Sequence, residues 1–179
     1  MATIRKLLIL VKRDFGSKPI WLTEYGYQTS PPDRALGVSK TLQARYVSEA
    51  AYRAFAARNV DILIQYLYQD EPELSRFQSG LVYADGRPKP SLQAFKLPFA
   101  QSGRNGDRAI VWGQVRGGRP GRKTYRLEVL QKNVWKPIRP VRLTNDDGVF
   151  IRKIRLKRGA LLRILSTRQR RLSLQLRIR

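Results

Sequence analysis

Cysteine and histidine are both absent from this chain of 179 residues. Their absence removes disulfides, thiolate nucleophiles, the usual zinc sites and every mechanism that needs an imidazole. Acid–base or covalent chemistry is left to Asp, Glu, Tyr, Lys and Ser, and no cofactor is expected. Acidic side chains are scarce as well, with 13 Asp and Glu against 36 Lys and Arg and a net charge of +23. Such a balance raises the question of a polyanionic partner. Long apolar runs are missing too, and nothing approaches the about 20 residues of a transmembrane segment. The basic N-terminal stretch carries only the apolar patch Leu7-Leu8-Ile9-Leu10-Val11. That is short of the roughly 7–15 residues of a secretory core, and no small-residue cleavage site follows. The segment reads as an amphipathic helix rather than a signal peptide.

Hydrophobic residues make up 42% of the chain, enough for the core of one ordinary domain or two small ones. No internal repeat or low-complexity tract is visible. The charge is unevenly placed. Residues 1–101 hold 14 basic and 9 acidic side chains, whereas residues 102–179 hold 22 and 4. The residue pattern changes at about the same point, which divides the chain into an N-terminal region of residues 1–100 and a C-terminal region of residues 101–179.

In the N-terminal region, Pro19-Ile20-Trp21-Leu22 has the composition of a buried strand, and the segment 25–33 is a loop rich in turn formers. Glu24 therefore stands at a strand's carboxyl end, the edge at which parallel α/β folds build active sites. It is a candidate nucleophile or general acid, or else a solvated or salt-bridged residue closing the strand. Ser39 is a plausible N-cap for a helix over 40–58, whose apolar stripe runs through Tyr46, Val47, Ala50, Ala51, Ala54 and Phe55. The nearly unbroken apolar run 62–68 predicts a strand buried on both faces. Strand, helix and strand in that order predict a βαβ unit with parallel strands. Asp85-Gly86 then marks a turn, and Pro88-Lys89-Pro90 opens a short helix.

From about residue 101 the pattern becomes short alternating strands cut by turns such as Gly117-Gly118, Lys132-Asn133, Asp146-Asp147-Gly148 and Arg158-Gly159. Strands are expected over 110–115, 124–130, 134–138, 141–144, 149–156, 161–165 and 172–178. In the last of these, Leu172, Leu174, Leu176 and Ile178 alternate with polar residues. Such a series favours a small immunoglobulin-like β-sandwich.

Lys18-Pro-Ile-Trp-Leu-Thr-Glu24-Tyr-Gly26, Tyr66-Leu-Tyr68-Gln-Asp70-Glu-Pro72, Gly80-Leu81 and Asp85-Gly86-Arg-Pro88-Lys-Pro90-Ser-Leu-Gln-Ala-Phe95 come in a telling order. Together they resemble the last quarter of a retaining (β/α)8-barrel glycoside hydrolase of the cellulase-like and β-xylosidase-like clan. The resemblance covers roughly residues 5–100. It implies a fold of mixed class, α/β plus all-β: the last two βα units of a TIM barrel, with strands seven and eight, followed by the β-sandwich as an accessory domain. It implies Glu24 as the nucleophile that forms a glycosyl-enzyme intermediate, and Tyr66 or Tyr68 as the aromatic platform under the sugar, where the clan more often has Trp. Either tyrosine also suits simple core packing. The substrate implied is an O-glycosidic bond of a poly- or oligosaccharide, in a family that is usually secreted.

Retaining hydrolysis needs a second carboxyl about 5–5.5 Å from the first. In this clan it is the Glu of an Asn-Glu pair on an earlier strand, and no Asn-Glu occurs in this chain. A whole barrel takes about 250 residues. The chain thus reads as a truncated domain, expected to be inactive alone, with an open sheet edge that invites self-association.

The basic C-terminal region supports a different reading. Arg152, Lys153, Arg155, Lys157, Arg158, Arg168, Arg170 and Arg171 would form a face for an acidic polysaccharide or nucleic acid, making the region a non-catalytic polyanion- or carbohydrate-binding module. Trp112, Tyr125 and Trp135 fit strand positions rather than an exposed stacking row. Cations on an outer sheet face also deter edge pairing without binding anything.

Overall fold

The computed structural model describes residues 4–138 and 140–179, a mixed arrangement of helices and sheets with no closed barrel among them. The amphipathic N-terminal segment is helix α1 (Ile4–Phe15), none of whose residues is buried. It stops at Gly16, which has φ 74° and sends its N–H to the Lys12 carbonyl at 3.1 Å. A left-handed residue of this kind satisfies the helix's last carbonyls, and glycine adopts it without a Cβ clash.

Strand β1 (Ile20–Tyr25), helix α2 (Lys40–Ala56) and strand β2 (Val60–Gln65) follow. The two strands pair in parallel, with Ile20 opposite Val60, Leu22 opposite Leu63 and Tyr25 opposite Gln65. Helix α2 begins at Ser39, whose hydroxyl accepts the Leu42 N–H at 3.2 Å. Such a cap contributes about 1 kcal/mol. The helix buries Ala44, Val47, Ala50, Ala51 and Ala54. The expected burial of the second strand on both faces is not found: Ile62 and Leu63 are half-buried, and Ile64 and Tyr68 are exposed. The parallel sheet has only two strands among the described residues, and Trp21 and Ile64 on it are exposed.

Helix α3 (Pro90–Lys96), with proline in its first turn, leads into strands β3 (Phe99–Asn105), β4 (Arg108–Gln114), β5 (Thr124–Gln131), β6 (Val134–Pro137), β7 (Arg142–Leu143), β8 (Val149–Arg155), β9 (Leu161–Ser166), β10 (Arg171–Leu172) and β11 (Leu176–Arg177). They form an antiparallel sheet in the order β3-β4-β8 and a second in the order β10-β9-β5-β6, to which β7 and β11 attach.

Two features depart from the sequence pattern. Strand β3 was hidden, because after the buried Phe99 and Ala100 it continues as Gln-Ser-Gly-Arg-Asn, which has turn composition. It pairs with β4 all the same, with a register irregularity between Gln101 and Gly103. The alternating run 172–178 is interrupted. Its pairing with β9 changes register between Leu172, opposite Leu165, and Leu176, opposite Leu162. At the change, the buried Ser173 hydroxyl accepts the Ile164 N–H at 2.8 Å and donates to the Leu174 carbonyl at 2.8 Å. A serine side chain competing with the ladder in this way redirects its neighbours. Leu174 packs with Leu81 and Ala94, whereas Leu176 and Ile178 join the main core.

That core lies between the two antiparallel sheets and includes Phe99, Val111, Tyr125, Leu127, Phe150, Leu162 and Ile164. A second cluster ties helix α2 to the three-stranded sheet through Ala51, Ala100, Trp112 and Val149. Trp112 is 1% exposed, with the Tyr52 and Phe55 rings 5.7 and 5.5 Å from its own. Burying an indole of this size is worth about 3–5 kcal/mol against alanine. The small side chains of α2 let the sheet approach closely.

Candidate active site

The carboxyl ends of β1 and β2 meet at one backbone hydrogen bond, from the Tyr66 N–H to the Tyr25 carbonyl at 2.7 Å. Gly26 follows immediately. A Cβ there would overlap the Tyr66 carbonyl oxygen, so only glycine allows the two segments to close up. Tyr25 turns its ring toward α2 and donates from its hydroxyl to the Tyr46 carbonyl at 3.1 Å. Burial, followed by the neighbouring Tyr27, Glu49 and Tyr46, raises the pKa of that hydroxyl far above its ordinary value, so it serves as a neutral latch. Glu24, next to it, is exposed.

Glu24 and Tyr66 thus share one rim. Tyr66 is half-buried, and its ring meets Phe77 edge-on at 5.4 Å and 87°. Tyr68 is 63% exposed, and its carbonyl accepts the Leu81 and Val82 N–H groups at 2.8 and 3.0 Å. Tyr66 is therefore a packed ring, whereas Tyr68 is open to solvent. The peptide between Tyr66 and Leu67 is cis.

The acids that follow β2 each stand beside a cation. Asp70 is bound to Lys89, while Glu71 and Glu73 reach Arg76 at 3.6 and 3.0 Å. Among the described residues Glu24 itself enters no ion pair. No three acidic side chains among the described residues gather into a metal site.

Asp70 reads from the sequence as a solvated loop residue, yet it is the anchor of the rim. Its side chain is 3% exposed and that of Lys89 is fully buried, with Nζ and Oδ2 2.7 Å apart. The ammonium also donates to the Thr29 hydroxyl at 3.1 Å and the Gln78 carbonyl at 3.0 Å, and Asp70 Oδ1 accepts the Gly80 N–H at 2.8 Å. Every donor of the ammonium is used, as burial of a charge requires. Lys89 lies between Pro88 and Pro90, and a lysine fixed by two rigid neighbours was the available signal. Gln43 completes the support by donating from its side-chain amide to the Tyr27 and Ser79 carbonyls at 2.9 and 3.3 Å.

The cations singled out in the C-terminal region do not share one sheet. Arg152, Lys153 and Arg155 belong to β8, while Arg168, Arg170 and Arg171 lie where β9 turns into β10. Arg155 is occupied by Asp107 at 2.5 Å. The indole of Trp135 lies beneath Arg163, 4.2 Å from ring centre to guanidinium. Arg163 and Arg126 clasp the buried Glu128 at 2.8 and 2.7 Å.

No protein-family profile matches the chain, and no curated protein matches it. Among solved structures it is similar to a β-glucuronidase 2 of Bacteroides uniformis covalently bound to cyclophellitol-6-carboxylate aziridine, at 13% identity and a TM-score of 0.47. It is also similar to another crystal structure of B. uniformis β-glucuronidase, at 14% identity and a TM-score of 0.47. In both cases 99% of this chain is covered but only 24% of the other, so the chain spans about a quarter of the length of these proteins.

Proposed function

We propose that this chain is the C-terminal portion of a retaining glycoside hydrolase, with two βα units of a (β/α)8 barrel over residues 1–100 and a β-sandwich accessory domain over residues 101–179. Glu24 is its nucleophile. The observation that carries this reading is the Tyr25–Tyr66 hydrogen bond, which brings Glu24 and Tyr66 to the carboxyl ends of two parallel strands, the rim where such barrels place their chemistry. The order and spacing of the motifs from Lys18 to Phe95 support it.

The Glu24 carboxylate attacks the anomeric carbon of an O-glycoside, the bond to the leaving oxygen breaks, and a glycosyl ester forms on the enzyme. Tyr68 supports the apolar face of the sugar. An unactivated leaving group departs only when protonated, and water attacks the ester only with a general base. With Asp70, Glu71 and Glu73 engaged by cations, the chain alone holds the first half of this mechanism and turns over no natural glycoside.

A 2,4-dinitrophenyl glycoside tests the assignment, because its leaving group departs without protonation. The expected result is a burst of dinitrophenolate no larger than one equivalent per chain, absent from Glu24→Gln. No burst in the native chain, or the same burst in the variant, contradicts it.

A further inference from the structure

Between β5 and β8, away from the Glu24 rim, lies a cavity of about 270 Å³. That is close to the roughly 300 Å³ at which small-molecule sites begin. Leu127 and Ile154 give it apolar walls, and Arg142, Arg152 and Lys153 line it with cations, whereas no acidic residue is among those that line it. None of the three cations forms an ion pair among the described residues.

Two buried polar atoms belong to this lining and have no hydrogen-bond partner among the described residues, the Tyr125 hydroxyl and Arg152 Nε. Tyr125 is 1% exposed, and its ring is stacked on Phe150 at 3.8 Å and 8°, so the hydroxyl cannot swing out to water. Burial raises its pKa against the pull of Arg152, whose guanidinium approaches the hydroxyl oxygen, and of Arg142, so the phenol stays protonated and its own proton has no acceptor. Buried donors are nearly always satisfied in folded proteins. Two orphaned donors, one of them on Arg152 itself, with Arg142 and Lys153 beside them, are complementary to an anion.

We infer that this cavity binds a small carboxylate with an apolar body, of the shape of benzoate. The carboxylate oxygens accept from the Tyr125 hydroxyl and Arg152 Nε–H, a charge-assisted pairing. Arg142 and Lys153 add to the attraction, and the apolar body covers Leu127 and Ile154. Inorganic phosphate satisfies the donors but leaves those walls against a strongly hydrated ion, and a neutral alcohol of the same shape leaves the cations unpaired.

Calorimetric titration of the intact chain at low salt distinguishes these cases with benzoate, benzyl alcohol and inorganic phosphate as probes. Benzoate is expected to bind at one site about tenfold or more tighter than either of the others. Tyr125→Phe, which keeps the ring stack, and Arg152→Met each weaken benzoate roughly fivefold or more, while Arg177→Met on the distant β11 does not. Benzoate binding no tighter than benzyl alcohol or phosphate overturns the inference, as does unchanged affinity in Tyr125→Phe and Arg152→Met.

Discussion

Replacing Lys89 with methionine keeps most of the side chain's volume and removes only the charge that neutralises Asp70. In the native chain the Lys89 ammonium has four contacts with three partners: both Asp70 carboxylate oxygens, the Thr29 hydroxyl and the Gln78 carbonyl. Lys89→Met leaves the carboxylate buried with only the Gly80 N–H, and breaking such a pair from one side costs about 3–5 kcal/mol. Against a total stability of about 5–15 kcal/mol, that is a large fraction. With a urea dependence of roughly 2 kcal/mol per molar, the unfolding midpoint falls by about 2 M. Asp70→Asn strands the ammonium and falls by a similar amount, whereas the double variant Asp70→Asn/Lys89→Met strands no charge. Its cost is therefore well below the sum of the two, with a coupling of about 2 kcal/mol or more. Urea unfolding followed by circular dichroism measures all three. A midpoint for Lys89→Met within about 0.3 M of native, or additive costs in the double variant, refutes the reasoning.

Two further perturbations test other features of the fold. Burial acts to raise the Glu128 pKa, but Arg163 and Arg126 outweigh it and hold the carboxyl below its ordinary value of 4.5. Its contribution to stability is therefore present above that value and lost as pH falls through the lowered one. The urea midpoint is expected to drop more steeply between pH 6 and pH 3 in the native chain than in Glu128→Gln; equal slopes contradict this. We also propose that the bare β1–β2 sheet, with Trp21 62% and Ile64 46% exposed, drives self-association. Light scattering should give a mass that rises above 20.7 kDa with concentration and rises less in Ile64→Lys, and a monomer at every concentration counts against it.

Elements whose signals are local were legible in the sequence. Ser39 capped α2 as its hydroxyl chemistry requires, Pro90 opened α3, and the turns at Gly117-Gly118, Lys132-Asn133, Asp146-Asp147-Gly148 and Arg158-Gly159 fall between strands. What escaped depended on partners distant in the chain. Gln101 to Asn105 has no strand composition, and it extends because β4 lies beside it. The regular alternation of 172–178 is broken by one serine hydroxyl that finds the Ile164 amide. Ile62 and Ile64 have the composition of a strand covered on both faces, but coverage of a face depends on what packs over it, and Ile64 is exposed.

The same distinction runs through the site. The parallel pairing that brings the carboxyl ends of β1 and β2 together was legible in the motif order. The Asp70–Lys89 pair that holds the loop beside them spans nineteen positions, and no local pattern joins its two members. The cavity lined by Tyr125 and Arg152 gave no sequence signal, since its donors come from two strands of different sheets.

A glycosyl ester on Glu24 is the most direct mark of a retaining nucleophile. Incubation of the intact chain with a 2,4-dinitrophenyl 2-deoxy-2-fluoroglycoside, followed by peptide mass mapping, should find a single added fluoroglycosyl unit on the peptide containing Trp21 to Gly26, located at Glu24. An adduct on another residue, or no adduct under conditions that release dinitrophenolate, would contradict the assignment of Glu24 as that nucleophile.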